Sequence, residues 1–302
     1  MFRDIVLSVV PTKTCDCAVD AALAFARKHE ANLYLVHVCG LPSHGWGSIE
    51  QLIPSGEVEQ IKQDVGKYYE EKLKDLEKYK LHVVPGLPHS EILRFARQVE
   101  ADLIVMGPHT KENVQKRSTT WGMAGSTLEK VTQKARCPVM IVSRDLPEGC
   151  SSFNNILAAT DFSSQADCAL RYAGQLARQY KSKMYVLNVL DRQASVEVPE
   201  AEGAENIEEQ FQSVKKRMEE EISPQLQGLD DYSFKVEEGQ PAMEILKFAR
   251  VHQIDLILMA HHSKEKDPEE AYLGSTVAQV ALNSSCPTLS VNRHFDLRCA
   301  LY

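Results

Sequence analysis

Apolar and polar positions alternate between two periods along this chain. Short apolar runs without a helical stripe occur at residues 5–10, 33–38, 81–84, 103–106 and 139–142. Such runs read as strands, and the matching run at 256–259 as a strand buried on both faces. Between them lie stretches with apolar residues three or four apart. One places Ala18, Ala21, Ala22, Phe25 and Ala26 on one face; another, over residues 57–80, does so with Val58, Ile61, Val65, Tyr68, Tyr69 and Leu76. These read as amphipathic helices.

The same succession then starts again. Strands are predicted at residues 156–161, 184–189, 232–236, 256–259 and 288–291, with a helix over 205–227 in the place of 57–80. Asp102 matches Asp255, Met106 matches Met259, Gly125-Ser126-Thr127 matches Gly274-Ser275-Thr276, and Cys137-Pro138 matches Cys286-Pro287. The chain is a tandem repeat. The Pro, Gly and Ser of residues 144–152 mark the join, which gives units at 1–144 and 153–294. Each unit reads β-α-β-α-β-α-β-α-β, an α/β architecture with a parallel sheet and helices on both faces. Ligands on such sheets bind beyond the C-terminal strand ends, where strand order reverses. Residues 40–56 and 191–204 read as variable loops or lids.

Composition narrows the possibilities. The 302 residues suit two ordinary domains, and a 43% hydrophobic content supports packed cores. A net charge of −8 argues against nucleic-acid binding, which needs a basic footprint. No apolar run approaches the ~20 residues of a membrane span, and the N-terminal MFRDIVLSVV goes straight into a strand, so a cytoplasmic protein is expected. Eight cysteines in this length do not form a disulfide framework. Cys17 and Cys168, and Cys137 and Cys286, occupy equivalent repeat positions and read as small buried thiols.

The order of these features, present twice, resembles the universal stress protein domain, and the whole chain resembles the tandem form of that family. The resemblance rests on Thr160-Asp161-Phe162-Ser163 after an opening strand, the D-L-I-x-M strand, Gly-Ser at a helix start, and a last strand introduced by Cys-Pro. It implies an adenine nucleotide alpha hydrolase-like fold, with five parallel strands in the order 3-2-1-4-5. It also implies that the two units pair through their last strands, and that homodimers of tandem chains and further protein partners, not nameable from residues, are open.

Some family members bind ATP through Gly-x2-Gly-x9-Gly-(Ser/Thr), with an Asp after strand one and a Val after strand two at the adenine. Carried onto the second unit, this implicates Asp161, Val189, Met259, Ala260, Ser263, Gly274, Ser275 and Thr276. Ala260 and Ser263 replace the two leading glycines, and the spacer, residues 264–273, is one longer than the pattern. The first unit keeps Gly107 but has Val10 for the Asp and Thr110 for the second Gly, so it reads as degenerate. The implied cofactor is ATP or another adenine nucleotide, with Mg accompanying it.

The residues themselves leave simpler readings open. Gly274-Ser275-Thr276 also fits a plain N-cap, and Asp161 fits a cap on the helix that follows it. His109, His261 and His262 read as solvated loop histidines, and Lys111, Lys116 and Arg117 as a solvated basic loop holding Trp121. No metal site and no catalytic residue is assigned. Three functions stand: a non-catalytic stress-response or regulatory protein binding a nucleotide in the second unit, a slow ATP hydrolase or phosphoryl-transfer protein, and a ligand-free interaction scaffold. The absence of a Gly-Lys-Ser/Thr phosphate loop argues against an efficient enzyme.

Overall fold

The computed structural model describes residues 2–39, 56–107, 126–144, 153–191, 207–261 and 273–292. The first unit runs β1 (Asp4–Ser8), α1 (Lys13–His29), β2 (Asn32–Cys39), α2 (Glu57–Leu73), β3 (Tyr79–Pro85), α3 (Pro88–Gln98), β4 (Leu103–Met106), α4 (Ser126–Lys134) and β5 (Val139–Ile141). The second runs β6 (Asn155–Ala159), α5 (Ser164–Tyr180), β7 (Lys183–Leu190), α6 (Ile207–Glu221), β8 (Tyr232–Glu238), α7 (Pro241–Val251), β9 (Leu256–Ala260), α8 (Ser275–Asn283) and β10 (Thr288–Val291).

All ten strands form one sheet, in the order β3-β2-β1-β4-β5-β10-β9-β6-β7-β8. Each half has the expected 3-2-1-4-5 order, with parallel neighbours. The halves meet where β5 and β10 pair antiparallel, Met140 opposite Leu289. One apolar layer gathers α1, α2, α5 and α6 on one face of this sheet; a second gathers α3, α4, α7 and α8 on the other. Both layers draw side chains from both halves.

Repeated residues do repeated work. Asp102 Oδ2 accepts the backbone N–H groups of Arg3 and Asp4, fixing the start of β4 beside that of β1. Asp255 Oδ2 does the same for Asn154 and Asn155. The turns into α3 and α7 need glycine: Gly86 has φ 154° and Gly239 φ 143°, and a Cβ on Gly86 would approach Glu91 Cγ to 2.7 Å. The prolines that follow, Pro88 and Pro241, sit in the first helical turn, where a missing N–H costs nothing.

Three expectations need correction. The helix predicted over 57–80 ends at Leu73, because β3 takes Tyr79 and Lys80 into register with Leu33 and Tyr34. Its partner over 205–227 ends at Glu221 and passes into a 3-10 turn, Ser223–Leu226, because Pro224 cannot continue an α-helix. Cys17 and Cys137 are buried thiols outside any disulfide, with Cys17 donating to Val142 O, but Cys286 is only half-buried, and Cys168, although buried, is disulfide-bonded, which a repeat position alone does not reveal. The predicted loops at 40–56 and 191–204, the basic loop with Trp121 and His109, and the linker lie largely outside the described residues. No described helix is long and apolar enough to cross a membrane.

The halves also meet through rings. His29 at the end of α1 packs edge-on to Phe2 and Tyr180, and Phe153 lies against Phe25 and Tyr180. His29 Nδ1 accepts from the Gln179 amide at 3.3 Å, so the neutral ring carries its proton on Nε2, 2.6 Å from the Tyr180 hydroxyl. Burial, and then the charges of the N-terminus and Lys28, lower the His29 pKa from 6.5 to about 4. A histidine with a depressed folded pKa stabilises the fold above pH 6.5, and that contribution is lost as pH falls toward 4. After allowance for partial exposure the loss is about 2 kcal/mol. Urea unfolding of the intact chain and of His29→Phe, at about pH 7.5 and about pH 4.5, should show the variant losing less stability by that margin. Equal losses would mean that His29 does not titrate across this window.

Candidate functional site

The order of strands places a reversal between β6 and β9 in the second half and between β1 and β4 in the first. Helices leave these neighbouring strand ends in opposite directions, which opens a crevice. In the second half its near wall is the turn after β6. Thr160 is buried, and its Oγ1 accepts the backbone N–H of Phe162 at 3.0 Å. Asp161 is exposed, and its Oδ1 accepts the N–H of Ser163 at 3.0 Å. Between them Phe162 is held at φ 61°, a left-handed conformation sustained by these two bonds and by Arg217, whose guanidinium lies 4.0 Å from the Phe162 ring centroid.

The cap of α5 is Ser163, whose Oγ accepts from Ala166 N. Asp161 therefore does not cap the helix directly. It closes an Asx turn that begins two residues before that cap, with one carboxylate oxygen bound to backbone and the side chain at the surface.

The far wall is the start of α8. His261 is 1% exposed, not a solvated loop residue. Its N–H donates to Val291 O at 2.8 Å, and its carbonyl accepts from Gly274 N at 3.0 Å. That pair clamps Gly274 to the ends of β9 and β10, and α8 starts there. Gly274 is the N-cap, at φ −57° and ψ 143°, and it has no side chain to cap with. The simple N-cap expected of Ser275 or Thr276 is thus not formed: Ser275 is the first helical residue and is exposed, and Thr276 is half-buried. The first-turn amides of a helix have no intrahelical acceptor, so they face the crevice as donors.

The remaining expected residues take defined places. Val189 is half-buried near the C-terminal end of β7 and belongs, with Met259 and Ala159, to the apolar layer that α8 covers. Ala260 ends β9, paired with Val291. It does not have a positive φ, so this position demands no glycine, and neither does its counterpart Gly107. Ser263 and His262 lie outside the described residues, as do His109, Thr110 and Gly125. Asn188 was not singled out by pattern, yet its Nδ2 donates to Thr160 O at 2.9 Å, bracing the Asp161 turn. The equivalent His37 meets Val9 O at 2.9 Å; the matching polar residues late in the second strand of each repeat were the available signal.

The first half closes the same region on itself. Val10 stands where Asp161 stands, and its carbonyl accepts the Tyr69 hydroxyl at 2.8 Å. Thr12 and Thr14 hydroxyls bond each other at 2.8 Å. The Cys15 thiol is buried beneath them; burial pushes its pKa up, against lowering bonds to Val10 and Thr12. Among the described residues no three His, Cys, Asp or Glu side chains are grouped to hold a metal.

The universal stress protein family model matches residues 1–143 and again 152–292. The chain belongs to the universal stress protein family. Among curated relatives, the universal stress protein MJ0531 of Methanocaldococcus jannaschii is 32% identical over 152 residues, spanning 46% of this chain and 83% of that protein. The universal stress protein MJ0577 of the same organism is 29% identical over 156 residues, spanning 47% of this chain and 96% of that one. A universal stress protein structure from Archaeoglobus fulgidus aligns along 96% of both chains at 20% identity and a TM-score of 0.63, which shows a shared fold over both halves. This universal stress protein is thus a tandem, with each half about the size of such a single-domain relative.

Proposed function

We propose that this tandem universal stress protein is a non-catalytic regulator that binds an adenine nucleotide, ATP by the family pattern, in its second half. The observation that carries the reading is the uncapped start of α8, clamped by His261 at the β6/β9 reversal. Phosphate oxygens are acceptors, and helix-start amides are donors aligned with the positive end of the helix dipole. The Asp161 turn lies across the reversal, with its carboxylate at the surface for the hydroxyls or amino group of a nucleoside. Val189, Met259 and Ala159 supply the apolar floor that a base requires.

The groups gathered here bind rather than react. A divalent cation such as Mg would arrive with the phosphates, held mainly by their own oxygens. The first half is the degenerate partner. Its turn carries a valine in place of the carboxylate, and its carbonyl and hydroxyl groups already bond to Tyr69 and to one another. It serves the assembly as half of the sheet.

Equilibrium binding of labelled ATP tests the reading. The intact chain is expected to hold one equivalent, and Asp161→Ala to bind about tenfold more weakly, as loss of one charge-assisted hydrogen bond implies. No measurable affinity up to about millimolar ATP would remove the nucleotide and leave the fold standing. Magnesium-dependent turnover by highly pure protein that disappears in Ser275→Ala would replace the binding reading with an enzymatic one.

A further inference from the structure

A cavity lies in the first half, at the opposite ends of the strands. It is a hollow of about 300 Å³, open to solvent on one side, between the C-terminal ends of α3 and α4, lined by Leu93, Ala96, Ala101, Ile104 and Cys137. Leu93, Ala96, Ile104 and Cys137 are all buried, so the floor is core. Its rim carries Arg97, Lys134 and Arg136, with Glu100 and Asp102 as the acidic members. Asp102 already holds two backbone N–H groups through Oδ2. On a chain of net charge −8, three cations around an apolar hollow are a local reversal of sign.

The internal duplication supplies a control. The equivalents of Leu93, Ala96, Arg97, Asp102, Ile104 and Cys137 are Leu246, Ala249, Arg250, Asp255, Ile257 and Cys286, the same residue each time. The copies differ where the cavity and its charge are made. Ala101 is Ile254, a larger side chain that is buried; Lys134 is Asn283, Arg136 is Ser285, and the acidic Glu100 is Gln253. A cation in the last helical turn commonly serves the helix dipole, and that covers Arg97, which both copies keep, and also Lys134 at the end of α4. It does not cover Arg136, which lies beyond α4. The potential also reaches the far end of α3: His89 is lowered by burial first, then by Lys130 and Lys134.

We propose that this cavity binds a small amphipathic anion, a carboxylate with a short apolar body, whose head meets Lys134 and Arg136 while its chain occupies the space that Ala101 leaves. Small-molecule pockets are concave and mostly apolar, with a few polar groups fixing orientation, and this site has that composition. It is separate from the nucleotide crevice, which opens at the other ends of the strands.

Equilibrium dialysis of the full chain against radiolabelled octanoate, 1-octanol and octylammonium tests it. Ala101→Ile fills the hollow, and Lys134→Asn/Arg136→Ser removes the head-group cations; each installs what the second half already folds with. Octanoate is expected to bind the parent chain in preference to both other probes. Ala101→Ile should weaken octanoate by tenfold or more, and the double variant should weaken it about tenfold and abolish its preference over octanol. The proposal is overturned by no octanoate binding up to about 10 mM, by equal binding to all three proteins, or by preference for octylammonium.

Discussion

Ser275→Asp is expected to keep the fold and lose the nucleotide. An aspartate in the first turn of α8 suits the helix dipole, worth about 0.3–1 kcal/mol of stability. The same carboxylate stands where the phosphates would meet the amides of Ser275 and Thr276. Repulsion of about 3 kcal/mol there lowers ATP affinity by roughly a hundredfold. The two effects run in opposite directions, and that is the value of the variant. A chain that is as stable as the parent but blind to ATP places the ligand at this helix start. A chain that is as stable and still binds ATP places it elsewhere. Thermal unfolding without ligand and titration with labelled ATP read the two effects separately.

Leu289→Ala is expected to destabilise both halves together, by about 3 kcal/mol. Leu289 is fully buried and lies opposite Met140 where β10 meets β5. Its apolar layer continues without a break from Phe25 and Met140 in one half to Phe153 and Val291 in the other. Removing three carbons at this seam leaves a hole in a core that neither half owns. Urea unfolding should therefore remain a single transition, displaced as a whole. Two transitions, of which only the later or earlier one moves, would show that the halves unfold independently despite the shared sheet.

Much of this was legible in the residue pattern, for physical reasons. Strands buried on both faces are mostly apolar, so residues 103–106 and 256–259 are legible as strands from the sequence alone. Duplication doubled each signal: the Asp102 and Asp255 anchors and the Gly-x-Pro turns were visible as matched pairs, and the 3-2-1-4-5 order came with the family resemblance.

What pattern could not show was what side chains do once the chain is folded. His261 lies in a polar loop by sequence and is 1% exposed in the structure, because its backbone joins β10 to the start of α8. Pro224 was readable as a breaker, yet the apolar stripe running past it through Leu226 masked it. The difference between Ala101 and Ile254 was present in the aligned repeats, but only the packing of α3 against α4 shows that Ala101 lines a hollow.

The central claim is that the second half binds a nucleotide through backbone amides at the start of α8. Amide NMR of the deuterated full chain, titrated with ATP, tests it most directly. The largest shifts are expected at Gly274, Ser275, Thr276 and Val277, with smaller ones at Asp161 and Val189 and none at Ser126 or Leu128. Shifts confined to the first half, or absent from Gly274 to Val277 at saturating ATP, would contradict it.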